Sequence, residues 1–188
     1  MKDKYIVLLV GKSGTGKSTI CQYLENMYGL KEVKSYTTRP KRNGGDTSHK
    51  FVDEEIFDDI ISNDGICAYT EFNGYKYCTT NHQIDNSDLY IVDPKGVDYF
   101  MKDYSGRKIP MVVRIDSPLD VRKDRMRLRG DSEDKIESRI KHDEIAFKDI
   151  DNYAMKLYNN IIKVDDVIAI GDDIYNMFFR EIEREENV

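Results

Sequence analysis

The chain has 188 residues, of which 39% are hydrophobic and 34% are charged, and its formal net charge is −6 at pH 7. This length suits one domain with its own core, and no stretch reaches the ~20 apolar residues that a membrane-spanning helix needs. The negative charge argues against a general nucleic-acid-binding protein, and the spacing of Cys21, Cys67 and Cys78 predicts reduced, packed thiols rather than disulfides or a zinc site.

A strand, a glycine-rich loop and a helix open the chain. The apolar run Tyr5–Val10 predicts a buried strand, and the spacing over residues 18–28 predicts a helix that ends at Gly29. Because the run is short for a signal sequence and leads directly into the loop, we expect a cytoplasmic protein.

Residues 33–72 are polar, contain glycines and break into short candidate strands, which is typical of an inserted unit. Apolar strand patterns return at residues 89–92 and 111–115, and each is followed by a segment that can be helical. Strands that alternate with helices predict parallel strands joined by crossover helices, and therefore an α/β fold.

Three further helices are expected after residue 116. The first is basic and runs from Ser117, as its N-cap before Pro118, to about Arg129. Gly130 interrupts it, and residue 131 or 132 is expected to cap the next helix. The remaining predicted elements are a strand over residues 161–164 and a closing helix over residues 172–184.

Two segments are basic although the whole chain is acidic. Residues 34–50 and residues 122–129 each contain five Lys or Arg residues against one Asp. A local charge of about +4 suits a small polyanion such as a nucleotide.

Residues 11–19 match the phosphate-loop pattern Gly-x-x-x-x-Gly-Lys-[Ser/Thr] and lie between a predicted strand and a predicted helix. The glycines allow successive N–H groups to point inward, and Lys17 adds a charge for the β and γ phosphates of ATP. The hydroxyl group of Ser18 is expected to hold Mg²⁺. The expected ATP-binding residues are Gly11, Ser13, Gly14, Thr15, Gly16, Lys17, Ser18 and Thr19.

Residues 35–44 read Ser-Tyr-Thr-Thr-Arg-Pro-Lys-Arg-Asn-Gly, and with this string the chain resembles the guanylate kinase family of nucleoside monophosphate kinases. The resemblance implies that Ser35, Arg39 and Arg42 contact the phosphate of the acceptor, with Arg39 also acting in catalysis. Guanidinium groups suit this role because they can contact two phosphate oxygens at once.

The resemblance continues in residues 72–79, where it implies that Tyr77 contacts the acceptor phosphate and Thr79 helps to read the base, although Cys78 replaces the family's glycine. It also extends to Asp93, which follows a predicted strand and is expected to read the base or to organise Mg²⁺ through water. Asp93 could equally cap the turn that begins with Pro94.

The basic helix is similar to the family's lid, which implies that Arg125, Arg129 and Arg139 contact the transferring phosphoryl group. An adenine contact by Asn159 rests on a looser match. The resemblance implies a P-loop NTPase three-layer fold with a parallel central sheet, a small, mainly β, nucleoside-monophosphate-binding insertion and a helical lid. The expected division is a core over about residues 1–32, 80–124 and 144–188, an insertion over about residues 33–79 and a lid over about residues 125–143.

Two departures from the family pattern fall on the acceptor side. Ala68 occupies the position of the family's guanine-binding glutamate, and the nearby Glu71 should point to the opposite face of a strand. His49 occupies the position of a phosphate-binding tyrosine and could still donate to phosphate. These departures leave the base of the acceptor open.

The expected function is transfer of the γ-phosphoryl group of ATP, with Mg²⁺, to a small phosphorylated acceptor, with GMP or dGMP expected first. The alternatives are a related kinase for another nucleotide or a ribose phosphate, a noncatalytic guanylate kinase-like module that binds partner peptides, and a P-loop hydrolase or switch. We expect neither nucleic acid nor membrane as a partner, and the chain could be a monomer or a homodimer.

Overall fold

The computed structural model describes residues 4–41, 44, 46–72, 74–148, 156–158, 161 and 163–186. The strands are β1 (Tyr5–Val10), β2 (Tyr36–Thr37), β3 (Lys50–Phe51), β4 (Ile66–Phe72), β5 (Tyr75–Thr80), β6 (Leu89–Ile91), β7 (Ile109–Ile115) and β8 (Lys156–Tyr158). The helices are α1 (Lys17–Tyr28), α2 (Glu54–Asn63), α3 (Asn81–Asp85), α4 (Pro94–Asp103), α5 (Leu119–Leu128), α6 (Glu133–Ala146) and α7 (Val164–Glu186).

The main sheet is parallel and has the strand order β6-β1-β7-β8. Every residue of β1 is buried, because alternate side chains pack against helices on both faces of the sheet. On one face Leu9 packs with residues of α1 and α7, including Leu24 and Ile174. On the other face Leu8 packs with Phe100 of α4. The predicted α/β fold with parallel strands is confirmed.

A second, mixed sheet has the strand order β3-β2-β5-β4 and lies within residues 36–80. Its long hairpin, β4 and β5, turns at Gly74, where φ is 77°. This part of the chain also contains a helix that sequence analysis did not predict, α2, which Asp53 caps by accepting a hydrogen bond from the N–H of Ile56. Ile56, Phe57, Ile60 and Ile61 recur at helical spacing, so the sequence does carry a helical signal here, although only Phe57 is buried.

Two predicted boundaries near the end of the chain are wrong. The last strand is β8 rather than residues 161–164, because Ile161 is buried beneath the helices without joining the sheet. The closing helix begins at Val164 instead of residue 172, and the N–H of Lys163 just before it donates to Asp166. Ile161 is therefore a core residue, as its apolar character indicates, but it does not belong to a strand.

The helices α5 and α6 meet at a turn where Gly130 has a φ of 88°. The N-cap of α5 is Pro118 rather than Ser117, because the Ser117 hydroxyl group is used elsewhere and lies 3.4 Å from the carbonyl oxygen of Thr15. Ser132 is the N-cap residue of α6, as one of the two predicted alternatives. No helix among the described residues combines the length and the apolar character needed to span a membrane.

Candidate active site

The phosphate loop connects the carboxyl end of β1 to the first turn of α1. Gly14 and Gly16 have φ angles of 81° and 101°, which glycine adopts without the steric cost of a side chain. A Cβ atom on Gly14 would lie 2.6 Å from the carbonyl oxygen of Arg122. One side of the loop therefore packs closely against α5. The loop continues into the N-terminus of α1, whose N–H groups and dipole favour an anion.

The ammonium group of Lys17 folds back over the loop, where it donates to the carbonyl oxygens of Gly11 at 2.5 Å and Lys12 at 3.1 Å. Burial lowers the pKa of Lys17 to about 8, although the nearby carboxylate of Asp143 opposes this shift. The side chain is therefore held in place by the loop, and its pKa lies close to neutral pH. An incoming phosphate would favour its charged form.

The donor cleft, as we name it, is an open space of about 540 Å³ in front of the loop, lined by Lys17, Ser18 and Thr19 and by three arginines, Arg125, Arg129 and Arg139. Among the described residues no three His, Cys, Asp or Glu side chains are grouped to hold a metal ion. One hydroxyl ligand from Ser18 nevertheless fits Mg²⁺, which usually takes few protein ligands and completes its shell with phosphates and water.

Arg125 braces the back of the phosphate loop. Its guanidinium group donates to the carbonyl oxygens of Gly14 and Thr15, both at 3.2 Å, and to that of Ile161 at 3.1 Å. Desolvation lowers the pKa of Arg125. Arg125 also lines the donor cleft, and its expected contact with the transferring phosphoryl group stays a prediction.

The acceptor cleft is a second open space, of about 820 Å³, lined by Arg39, Tyr75 and Tyr77 on one side and by Arg129 and Arg139 on the other. The guanidinium group of Arg39 is held in place by the carboxylate of Asp46 at 3.1 Å, by the carbonyl oxygen of Pro40 and by the ring of Phe51. Arg42, predicted to act with Arg39, lies outside the described residues.

The inner pocket, of about 170 Å³, opens beside the acceptor cleft and contains a chain of three hydroxyl groups. The Thr79 hydroxyl lies 2.9 Å from that of Ser35 and 2.9 Å from that of Tyr90. Burial raises the pKa of Tyr90 to about 12, so this phenol stays protonated. Each hydroxyl group can donate or accept, and the chain can therefore adapt to different polar edges.

His49 and Ala68 also line the inner pocket, and Tyr77 lines both this pocket and the acceptor cleft. The rings of His49 and Tyr77 meet edge to face with centroids 5.4 Å apart. Asp93 caps α4 by accepting from the N–H of Gly96 at 2.6 Å. It also lines the inner pocket, so the predicted capping role is confirmed and the predicted contact with the base stays a prediction.

Arg129 and Arg139 lie between the donor cleft and the acceptor cleft and line both. Both are paired with the carboxylate of Asp131. Its Oδ2 atom lies 2.8 Å from Nε of Arg129 and 3.6 Å from Nε of Arg139. The Arg129 side chain is half exposed while that of Asp131 is mostly buried, so a phosphate could draw Arg129 away from this pair at modest cost.

Several residues at the site were not found from the sequence. Asp131, Arg122 and Asp143 contact the lid arginines or the loop, and Tyr90 extends the hydroxyl chain. No motif marked them, and the contacts of Arg122 and Asp143 with Ser13 span more than 100 residues of sequence. Asn159, a suggested adenine contact, lies outside the described residues. Cys21, Cys67 and Cys78 are buried free thiols.

Comparisons with known proteins agree with this arrangement. A family model described as an AAA domain matches residues 7–146. A guanylate kinase from Carboxydothermus hydrogenoformans is 28% identical over 183 residues, which cover 93% of this chain and 87% of the relative. A guanylate kinase from Mycoplasmopsis pulmonis is 30% identical over 169 residues, which cover 82% of this chain and 86% of the relative.

Among solved structures, a guanylate kinase from Anaplasma phagocytophilum superposes with a TM-score of 0.60 at 23% sequence identity. The match covers 96% of this chain and 87% of the other. At this identity the likeness concerns the fold, and together with the AAA-domain match it confirms the predicted P-loop NTPase class.

Proposed function

The chain belongs to the guanylate kinase family, within the phosphate-loop class of the AAA-domain match, and we propose that it transfers the γ-phosphoryl group of ATP to GMP or dGMP. It is a nucleoside monophosphate kinase, and the nucleotide that accepts the phosphoryl group is what we propose. The proposal rests on Arg129 and Arg139, which line both clefts. A group moving from one cleft to the other would pass their positive charges.

On the donor side, we propose that the phosphates of ATP bind the phosphate loop at the N-terminus of α1. Lys17 would turn from its loop carbonyls to the β and γ phosphates, and Ser18 would contribute the protein ligand to Mg²⁺. The metal ion, when bound, neutralises charge that develops on the phosphate oxygens. Arg125 and Arg122 hold the loop from behind through its carbonyl oxygens.

On the acceptor side, we propose that Arg39 and Tyr77 bind the acceptor phosphate in the acceptor cleft, with Arg42 and Ser35 as further ligands. Arg39 is suited to this because its contacts with Asp46 and Phe51 fix its orientation before any ligand arrives. The base would enter the inner pocket, where Thr79, His49 and Asp93 supply polar groups.

Transfer needs no general base, since the acceptor phosphate is already an anion and catalysis consists of alignment and charge stabilisation. We propose that the insertion, about residues 33–79, and the lid, about residues 125–143, close on the core formed by the rest of the chain. Closure would bring Arg129 and Arg139 away from Asp131 and onto the transferring phosphoryl group. Arginines in this role contribute ~10³ to 10⁵ in rate.

A second acceptor class is favoured by one observation, the side chain at position 68. Ala68 is buried against the inner pocket and offers no acceptor to the N–H groups of guanine. The pocket keeps hydroxyl groups that suit several polar edges. A kinase for another nucleotide, or for a ribose phosphate that leaves the pocket partly empty, is therefore the alternative.

The deciding experiment measures turnover of the purified chain with ATP and Mg²⁺ against GMP, dGMP, AMP, CMP, UMP and phosphorylated riboses. We expect the highest kcat/KM with GMP or dGMP. A higher value with another acceptor would replace the proposed substrate, while turnover of none would contradict the kinase assignment. Steady phosphate release from ATP that no acceptor changes would instead indicate a hydrolase.

A noncatalytic peptide-binding module is the rival from another class of proteins. It would need neither Lys17 nor the two lid arginines at the meeting point of the clefts. Binding of ATP, measured by titration calorimetry and lost in Lys17→Met, would count against it, because that variant removes the ammonium group and keeps a side chain of similar length.

A further inference from the structure

The carboxylate of Asp143 lies at the junction between the lid helix α6 and the phosphate loop. One oxygen accepts from the backbone N–H of Ser13 at 2.7 Å, and the other lies 3.3 Å from the Ser13 hydroxyl group. Arg122 of α5 pairs with it at 3.6 Å, and both side chains are more than nine-tenths buried, with exposures of 7% and 8%. Three elements thus meet at one buried acid.

This contact is not explained by the phosphate loop alone. A phosphate loop binds its ligand through inward N–H groups, and here the N–H of Ser13 is directed to a side chain 130 residues away in the sequence. A buried carboxylate is stable only when hydrogen bonds and a countercharge compensate for lost hydration, and Asp143 has both. Its placement therefore reflects a specific contact rather than a tolerated surface charge.

Asp143 is also one helical turn from Arg139 on α6. Residues four apart lie on the same helical face, about 6 Å from each other along the axis. The two side chains line one pocket, of about 250 Å³, together with Lys17 and Asp93. Fixing Asp143 to the loop consequently fixes the depth and the rotation at which Arg139 faces the phosphates.

We propose that Asp143 is a positioning residue that ties α6 to the phosphate loop and so aims Arg139 at the transferring phosphoryl group. This inference rests on the proposed phosphoryl transfer. Rate enhancement by an arginine depends on its alignment, and a misplacement of about 1 Å can reduce the rate about 100-fold.

The test compares Asp143→Ala and Asp143→Asn in the full chain, with Glu144→Gln as the matched control. Glu144 is the exposed neighbour on the same helix, and its substitution removes the same charge as Asp143→Asn. The amide oxygen of the Asn variant can still accept from the Ser13 N–H, and Arg122 keeps its contacts with the carbonyl oxygens of Ser13 and Ser117.

We expect Asp143→Ala to lower kcat at least about tenfold while the KM for ATP changes less than about threefold, since alignment is lost and the loop remains. Asp143→Asn should keep kcat within about threefold of the wild type, as should Glu144→Gln. Thermal unfolding of each variant confirms that it is folded at the assay temperature, and if Asp143→Ala is not, all variants are assayed at a lower temperature at which it is.

A double-mutant cycle tests the route through Arg139. If Asp143 acts by aiming Arg139, the variant with both Arg139→Ala and Asp143→Ala should be no more than about twofold slower than Arg139→Ala alone. Losses that multiply would overturn the inference, as would an unchanged kcat in Asp143→Ala. A lower KM for ATP in that variant would also overturn it, because it would mean that the carboxylate competes with phosphate. An inactive wild-type chain would contradict the proposed function itself.

Discussion

Activity should decline in alkaline solution at the point where Lys17 loses its proton. Burial holds the pKa of this ammonium group at about 8 in the free protein. Only the protonated form attracts the β and γ phosphates, so the competent fraction falls as pH rises through this value. About 90% of the side chains are charged one unit below the pKa and about 10% one unit above it.

We therefore expect kcat/KM for ATP to decrease about eightfold to tenfold between pH 7 and pH 9, because this parameter reports groups of the free enzyme. The kcat measured at saturating ATP should be much flatter, since bound phosphate stabilises the ammonium form and raises its pKa. Initial rates across the pH range, at fixed ionic strength, provide both parameters.

Two variants make this assignment specific. Lys17→Arg keeps its charge over the whole range and should lose the step, whatever its absolute rate. Asp143→Asn removes the carboxylate that opposes the lowering of the Lys17 pKa, so the step should move to lower pH. A kcat/KM that is constant from pH 7 to pH 10, or an unmoved step in Lys17→Arg, would refute the reasoning.

Three further outcomes follow from the contacts. Arg125→Met removes the guanidinium donor from the carbonyl oxygens of Gly14, Thr15 and Ile161 and should lower the free energy of unfolding by about 2 kcal/mol. Arg129→Met breaks a partly exposed ion pair and should cost less than about 1 kcal/mol. Equal losses in urea unfolding would contradict the bracing role. The ratio of kcat/KM for GMP to kcat/KM for the other nucleotides should be at least about tenfold higher in Ala68→Glu than in Ala68→Gln. An unchanged order of substrates would mean that position 68 does not select the base. Thr79→Val interrupts the row of hydroxyl groups that ends at Tyr90 and should lower the free energy of unfolding by about 1–3 kcal/mol, measured by thermal unfolding. A variant as stable as the wild type would show that these hydroxyl contacts do not stabilise the fold.

Local patterns predicted those parts of the fold in which neighbours in the sequence are neighbours in space. The strand Tyr5–Val10, the helix behind it and its end at Gly29 were predicted because burial and helical spacing appear directly in consecutive residues. Helix α2 was missed although its apolar residues have helical spacing, because the whole of residues 33–72 was interpreted as short strands. Ile161 was assigned to a strand because a buried residue in a loop has the same apolar signature.

The candidate site shows the same division. The resemblance predicted roles for Arg125, Arg129 and Arg139 as one group, yet their environments differ. Arg125 is engaged by loop carbonyls, while the other two pair with Asp131 in the open space between the clefts. Spacing along a helix could place these residues on a face, but the partner of each side chain depends on what that face packs against.

By itself, the sequence determined that this chain carries a phosphate loop, because the loop's glycine torsions, its lysine and its helix N-terminus are all encoded in nine adjacent residues. Only the tertiary structure decided that Asp143 would reach Ser13 across 130 residues and that Arg129 and Arg139 would stand between the two clefts. The physical reason is that backbone geometry is a local property, whereas burial, pairing and the shift in the pKa of Lys17 arise from groups brought together by the packing of separate elements.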